Sequence, residues 1–376
     1  MMKKRKVVHI TTVHHPLDPR IYYKQCQSLQ KAGYDVTLIA PNGEEVIGAS
    51  DIRIQSLQKR SRRLKRMLLS TFEAYRKAKK LQADVYTIHD PELIPVAWLL
   101  KKKSNVVIYD IHEDYETSIL QKDYLPKPVQ KVFAKAYRLM ESFFLRKLEL
   151  CLAEKYYQEK YERGICLLNY PILDQGAIQA ERKTNEASDE LIYTGNLSET
   201  RGALTQARIP LFHPDVTIRF YGKCAKGLAE QMYVEAKGKQ EHIIIEGIER
   251  YVPKDEIDQA YLEKQWLAGI ALFPYDPHYM RKELTKFFEY MSHGLPILCS
   301  DFPVWKAFVD KHQCGIAVDP HDQKAVYDAI EYLRTNREEA RKMGENGRQA
   351  VVNELNWEKE EERLVAWYHK LIPSHQ

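Results

Sequence analysis

Short apolar, β-branched runs recur along the whole chain, with longer stretches of helical apolar spacing between most of them. The first half carries KVVHITTV at 6–13, DVTLIA at 35–40, DIRIQS at 51–56, DVYTIH at 84–89, NVVIYDI at 105–111, LELCLA at 148–153 and GICLLN at 164–169. Residues 171–188 break the rhythm, being polar and carrying Pro, Gly, Asn and Ser, as a linker does. Alternation resumes with LIYTG at 191–195, VTIRFYG at 216–222, HIIIEG at 242–247, LAGIALFP at 267–274, LPILCS at 295–300 and CGIAVD at 314–319. Strands alternating with helices predict parallel sheets with crossover helices. The expected architecture is α/β: two Rossmann-like, doubly wound domains facing across a cleft. The first spans 1–170 and the second 189–355. A closing helix over 357–371 follows, with Asn356 placed to cap it.

Open parallel sheets bind ligands beyond the carboxyl ends of their strands, so functional residues are expected in the loops that follow strands. The first such loop, HHPLDPR, has no GxGxxG and no Walker lysine, which argues against a dinucleotide or P-loop site. In it Asp18-Pro19 reads as a helix cap with proline at the first helical position. His14, His15 and Arg20 remain as candidates for binding. His89 follows the fourth strand in IHDPEL, where Asp90 and Pro91 again look like a cap and a helix start. His112 follows the fifth strand in DIHEDY beside Asp110, Glu113 and Asp114. A histidine among carboxylates suits acid/base work, and a metal site is the alternative.

In the second half, Gly195 and Gly202 flank the turn GNLSETRG, which brings Arg201 to a helix start. An arginine with free backbone amides makes an anion site. Lys223 in YGKC is a further cation. The stretch MRKELTKFFEYMSHGLPILCSD reads as a helix beginning near Thr285, with Lys286 and Glu289 on one face, then a turn and a buried strand. The pair fits a diphosphate and sugar hydroxyls; an ordinary surface ion pair is the alternative.

A chain of 376 residues is comfortable for two cores, and 44% hydrophobic residues suffice to fill them. The net charge of +5 is too small to make nucleic acid the main partner. Six scattered cysteines without metal-ligand spacing read as reduced thiols of a cytoplasmic protein. The basic N-terminus leads into a first strand rather than a signal peptide, and no run of eighteen apolar residues occurs. Two segments, 59–80 and 127–147, are basic and amphipathic. The favoured reading packs them on their own sheet with solvated basic faces, and contact with an anionic membrane is the alternative.

The pieces KAGYDVTLIAP, IHDPEL, YDIHEDY, GNLSETRG and KFFEYMSHGLPILCSDFPVW, in this order, resemble the retaining glycosyltransferases of family 4, which have the GT-B fold. The resemblance runs from the first loop to NWEKEEERLVAWY. It implies that the second domain holds most of a nucleotide sugar and that the last helix crosses back to the first domain. It also implies that Arg201 contacts the donor diphosphate, Glu289 the ribose hydroxyls and His89 the transferred sugar. The loop His14 to Arg20 would help close the site, and His112 would lie toward the acceptor. The sequence departs from the family at Arg281, where a glutamate eight residues before Glu289 is usual. It departs also in the first loop, usually glycine-rich, and at Gln206, where a lysine is usual. Lys286 then supplies the second cation.

The expected activity is transfer of a sugar from a UDP- or GDP-sugar to an acceptor hydroxyl with retained anomeric configuration, in cell-surface polysaccharide or glycolipid synthesis. Arg201, Lys286, His89 and His112 are expected at the chemistry, and Glu289, Thr285, Gly195, Arg20 and His15 in binding. No metal and no prosthetic group is expected. The partners would be the nucleotide sugar, a glycan or lipid-linked acceptor and the inner membrane face. A non-catalytic binding module of the same fold and a nucleotide-sugar epimerase, the latter through Glu113 and Asp114, stand as alternatives.

Overall fold

The computed structural model describes residues 4–43, 52–58, 60, 66–112, 115, 126–173 and 188–372. Two compact units result: Met1–Asn169 with Trp357–Gln376, and Tyr170–Asn356. Most of the linker 171–188, the pair Glu113 and Asp114, and the basic residues Lys59, Arg62, Arg63 and Lys65 lie outside the described residues.

The first unit is built on seven parallel strands in the order β3-β2-β1-β4-β5-β6-β7. They are β1 (Lys6–Ile10), β2 (Asp35–Pro41), β3 (Arg53–Leu57), β4 (Val85–Ile88), β5 (Val106–Ile111), β6 (Glu149–Leu152) and β7 (Ile165–Cys166). The residues of β1, β2, β4, β5 and β6 are largely buried on both faces, which is why they read as continuous apolar runs, whereas edge strand β3 is mostly half-buried. The chain leaves β1 toward β2 on one side and returns to β4 on the other, so the crevice of this sheet opens between β1 and β4. The helix Trp357–Leu371 belongs to this unit. Trp357, Leu364 and Tyr368 join a core with Ile21, Tyr22, Leu29 and Leu38. Asn356 donates to the carbonyls of Val351 and Val352, closing the end of the preceding helix Arg337–Asn353.

The second unit holds six parallel strands in the order β10-β9-β8-β11-β12-β13. These are β8 (Glu190–Thr194), β9 (Thr217–Tyr221), β10 (Ile243–Ile245), β11 (Ala268–Ala271), β12 (Ile297–Ser300) and β13 (Gly315–Val318). Here the reversal lies between β8 and β11. Among the described residues no helix is long and apolar enough to cross a membrane.

The two basic segments pack differently from expectation. The helix Thr71–Leu81 buries its small residues, Ala74 and Ala78, and leaves Phe72 outward. The helix Lys127–Leu145 buries Gln130, Ala134, Glu141 and Leu145 while Val132, Phe133, Leu139 and Phe143 stay exposed. Small side chains let a helix approach its sheet closely, and the bulky apolar positions are then left outside.

Candidate functional site

In the first unit, the loops after β1, β4 and β5 converge at the crevice. Asp18 caps the helical segment Pro19–Cys26, accepting from the amides of Arg20 and Ile21 at 2.9 and 3.0 Å. Asp90 stands before Pro91 at a helix start, but its carboxylate does not cap. It reaches back to β1's loop and accepts from Thr11 Oγ1 at 2.9 Å and the Thr12 amide at 2.6 Å. This ties the first loop to the fourth strand.

Asp110 is the hub of the cluster and is fully buried. Arg20 donates to it through Nε at 3.1 Å and Nη2 at 2.8 Å, Gln25 donates to Oδ2 at 2.6 Å, and His112 Nε2 lies 2.7 Å from that same oxygen. Burial alone would raise this carboxyl's pKa, but the charge of Arg20 and the bonds from both histidines hold it well below the usual range. Arg20, expected in binding, has its guanidinium turned inward to Asp110. It is 5% exposed, its third donor goes to the Leu167 carbonyl at 2.9 Å, and its work is to keep Asp110 ionised.

His89 is also more enclosed than expected. Its Nε2 lies 3.0 Å from His9 Nδ1, and its Nδ1 lies 3.2 Å from both Asp110 Oδ2 and His112 Nε2. Both ring nitrogens are engaged inside the protein, and burial lowers its pKa, so it stays neutral. His112 is half-buried, and its carbonyl accepts from the Tyr157 hydroxyl at 3.1 Å. His14 stands beside it with ring centroids 5.2 Å apart. Burial opposes the charge on His14, yet the hydrogen bond to Asp18 and the carboxylate of Asp90 outweigh it and raise its pKa. His15 is exposed, its Nδ1 accepting from the Leu17 amide at 3.1 Å.

His89, Asp110 and His112 bring three ligand-type atoms within 4.8 Å of one another, a spacing that could hold a metal ion. The donor set fits one poorly. Asp110 Oδ2 already accepts from Gln25 and Arg20, and the guanidinium charge beside it opposes a dication. A hydrogen-bonded Asp–His pair describes the cluster better.

In the second unit, β8 ends in Thr194 and Gly195. Gly195 has φ +101°, and a Cβ added there would lie 4.0 Å from Lys286 Nζ, so the missing side chain leaves the backbone open beside the lysine. The turn Glu199–Arg201 is capped by Ser198 Oγ, which accepts from the Arg201 amide at 3.2 Å. Gly202, at φ +76°, presses this turn against β11's end: a Cβ there would come within 2.0 Å of the Leu272 carbonyl. Arg201 is thereby aimed, with Nε on the Tyr279 hydroxyl at 3.0 Å and Nη1 on the Asn196 carbonyl at 3.1 Å.

The helix Thr285–Ser292 brings the remaining residues. Thr285 is exposed at its first turn. Lys286 is buried, and its Nζ has no hydrogen-bond partner. It sits 3.6 Å from the centroid of Tyr193 and 5.0 Å from that of Phe273, on their π-faces. Burial, and then the positive charge of Arg201, push its pKa well below the ordinary lysine value against the pull of Glu289. Glu289 makes no ion pair with it. Its Oε2 accepts from the Tyr261 hydroxyl at 3.2 Å and Thr194 Oγ1 at 3.3 Å, and burial raises its pKa. Lys223 is exposed, apart from its carbonyl, which accepts from the Leu197 amide at 2.9 Å.

The structure thus gathers Gly195, Arg201, Thr285, Lys286 and Glu289 around one sheet's carboxyl edge, and His14, His15, His89 and His112 around the other's. Sequence reading missed Tyr193, Phe273, Tyr261 and Tyr279, which hold the charged groups, and Asp110's role as hub. Tyr193 in β8 and Phe273 just past β11 look like core, and Tyr261, in the helix Lys254–Glu263, and Tyr279 belong to no motif.

Two family models match the chain, Glycosyltransferase Family 4 over residues 20–155 and Glycosyl transferases group 1 over residues 284–350. No curated protein sequence matches it. Among solved structures, the fold is shared with sucrose-phosphate synthase from Thermosynechococcus elongatus, at TM-score 0.73 and 16% identity, covering 99% of this chain and 100% of that one. A glycosyltransferase from Rickettsia africae ESF-5 superposes with TM-score 0.71 at 13% identity, over 99% and 100% of the two chains. Anabaena HepE in complex with UDP and glucose gives 0.69 at 10% identity, over 98% and 100%.

Proposed function

We propose that the chain, a family 4-like glycosyltransferase of the GT-B fold, transfers a sugar from a nucleoside-diphosphate sugar to an acceptor hydroxyl with retention of anomeric configuration. The observation that carries this reading is Lys286: a buried ammonium-bearing side chain with no hydrogen-bond partner, next to Arg201 and an open glycine. A cation left unpaired in such a place is costly unless an anion completes it. A diphosphate does so.

In this mechanism the diphosphate lies against Arg201, Lys286, the Gly195 backbone and the first amides of the Thr285 helix. Glu289, with one oxygen held by Tyr261 and Thr194, accepts the ribose hydroxyls through the other. Cleavage of the glycosidic bond moves negative charge onto the leaving phosphate, where these fixed positive groups stabilise it. The leaving phosphate takes the acceptor's proton on the same face. On the N-terminal unit, His112, oriented by Asp110, serves the acceptor with His14 and His15, and His89 supports His112. HepE's binding of UDP and glucose favours a UDP-linked donor here. The acceptor is a glycan or lipid-linked intermediate of the cell surface, met at the cytoplasmic face of the plasma membrane.

The test is nucleoside diphosphate release from a panel of sugar nucleotides, without and with candidate acceptors. Slow release without acceptor, lowered about 10²–10³-fold by Arg201→Ala in a folded protein, is expected. Binding without turnover under all conditions would instead favour a non-catalytic module, for which Arg281 in place of the usual glutamate is the sequence support.

A further inference from the structure

The helix Lys127–Leu145 is turned inside out for a surface helix. Gln130 and Glu141 are buried, Glu141 held by the Tyr137 hydroxyl at 3.0 Å and by Lys160 at 3.5 Å. Its large apolar residues, Val129, Val132, Phe133, Leu139 and Phe143, form a stripe at helical spacing that faces out. The helices Ile94–Leu100 and Thr71–Leu81, the latter led by the helical turn Arg66–Ser70, lie alongside in turn and carry exposed Trp98, Leu99, Leu68, Leu69 and Phe72. Exposures on this face run from 36% at Val129 to 72% at Leu68, with Phe133 and Phe143 at 57%. Scattered exposed leucines are ordinary; a face shared by three adjacent helices marks an interaction site.

Its charge pattern selects the partner. Lys127, Lys131, Lys135 and Arg138 are exposed on the long helix, whose single carboxylate is the buried Glu141. The Ile94–Leu100 helix carries no charge and runs into Lys101, Lys102 and Lys103. Cations also stand over the exposed rings, Arg76 over Phe72 at 6.0 Å and Lys147 over Trp98 at 5.6 Å. Bulky apolar groups interleaved with cations match the boundary between acyl chains and anionic headgroups. A second copy of the chain would meet like charge with like charge here.

We propose that this three-helix face seats the N-terminal unit on an anionic lipid bilayer, with Phe133, Leu139, Phe143 and Leu68 entering the headgroup layer. It deepens the transfer reading by naming the surface at which the acceptor is met, and rests on that reading only for the acceptor. Flotation with phosphatidylcholine vesicles, with and without phosphatidylglycerol, tests it on the full chain. Binding at least about ten-fold tighter to the anionic vesicles is expected, since basic groups near the surface each contribute about 1 kcal/mol. Phe133→Glu with Leu139→Glu should abolish flotation, and Lys131→Glu with Lys135→Glu should remove the preference for anionic lipid. These positions are exposed, so circular dichroism and donor hydrolysis in solution should stay unchanged. Equal flotation on both vesicle types, flotation that survives Phe133→Glu with Leu139→Glu, or a dimer in sedimentation that those substitutions dissolve while vesicles go unbound, would each overturn the proposal. Hydrolysis measured on the same samples separates this outcome from failure of the transfer reading.

Discussion

Lys286 Nζ stands 3.6 Å from the centre of the Tyr193 ring, buried and without a hydrogen-bond partner. The contact explains how the lysine is tolerated in the free protein: the ring's negative face offsets part of the desolvation that lowers its pKa. It also fixes where the ammonium waits. Lys286→Met keeps the volume and drops the amine. We expect an unchanged or raised melting temperature and about 10–100-fold weaker binding of UDP or GDP, the loss of one charge-assisted contact. Calorimetry on the variant reads both.

Diphosphate binding should take up protons. In the free protein Lys286 has a depressed pKa, and a bound dianion raises it. Between the two values the complex holds a proton that the free protein lacks, so affinity rises as pH falls through that window. Titration calorimetry in buffers of different ionisation enthalpy should show net uptake, absent in Lys286→Met. Equal uptake by the variant would assign the proton elsewhere.

Lys24 gives a stability prediction. It is buried beneath Trp357, 5.8 Å from the ring centroid, and donates to Asn169. Burial, and then the charge of Arg20, lower its pKa to about 7. Above that value the folded protein keeps it neutral while the unfolded chain still binds the proton. Its contribution therefore makes stability rise with pH from about 7 toward the ordinary lysine range, and fall when the amine must charge while buried. Lys24→Met should flatten that part of the denaturation-versus-pH curve and stabilise the protein at neutral pH.

Asp110 and His112 separate folding from function. Asp110→Asn leaves the buried Arg20 charge without its counter-ion, and breaking such a pair costs about 3–5 kcal/mol. Urea denaturation should show the loss. His112→Gln touches only the outer end of the network. It should leave stability near wild type and donor hydrolysis without acceptor unchanged, while slowing transfer to acceptor. A fall in both rates together would move His112 from the acceptor to the donor.

The strands were legible because each is a short apolar run bounded by polar residues, and the sheet type followed from the helical stretches between them. The turn after β8 was legible too, since Gly195 and Gly202 take positive φ and Ser198 caps the turn that ends in Arg201. Long-range pairings were not. Nothing near Arg20 announces Asp110, ninety positions away, so a buried ion pair read as a binding arginine. His89 read as a ligand contact because sequence cannot show His9 and His112 on either side of its ring. The outward stripe on Lys127–Leu145 was missed for a different reason. Periodicity finds an apolar face, but which face packs depends on how closely a neighbour can approach, and here the Ala134 side does.

The central claim is that one pocket of the C-terminal unit holds a nucleoside diphosphate between two cations and a carboxylate. A crystal soaked with UDP or GDP tests it directly. The account predicts phosphate oxygens within hydrogen-bond distance of Lys286 Nζ and the Arg201 guanidinium, with both ribose hydroxyls on Glu289. Nucleotide bound elsewhere, or Lys286 still resting on Tyr193 beside an occupied site, would contradict it.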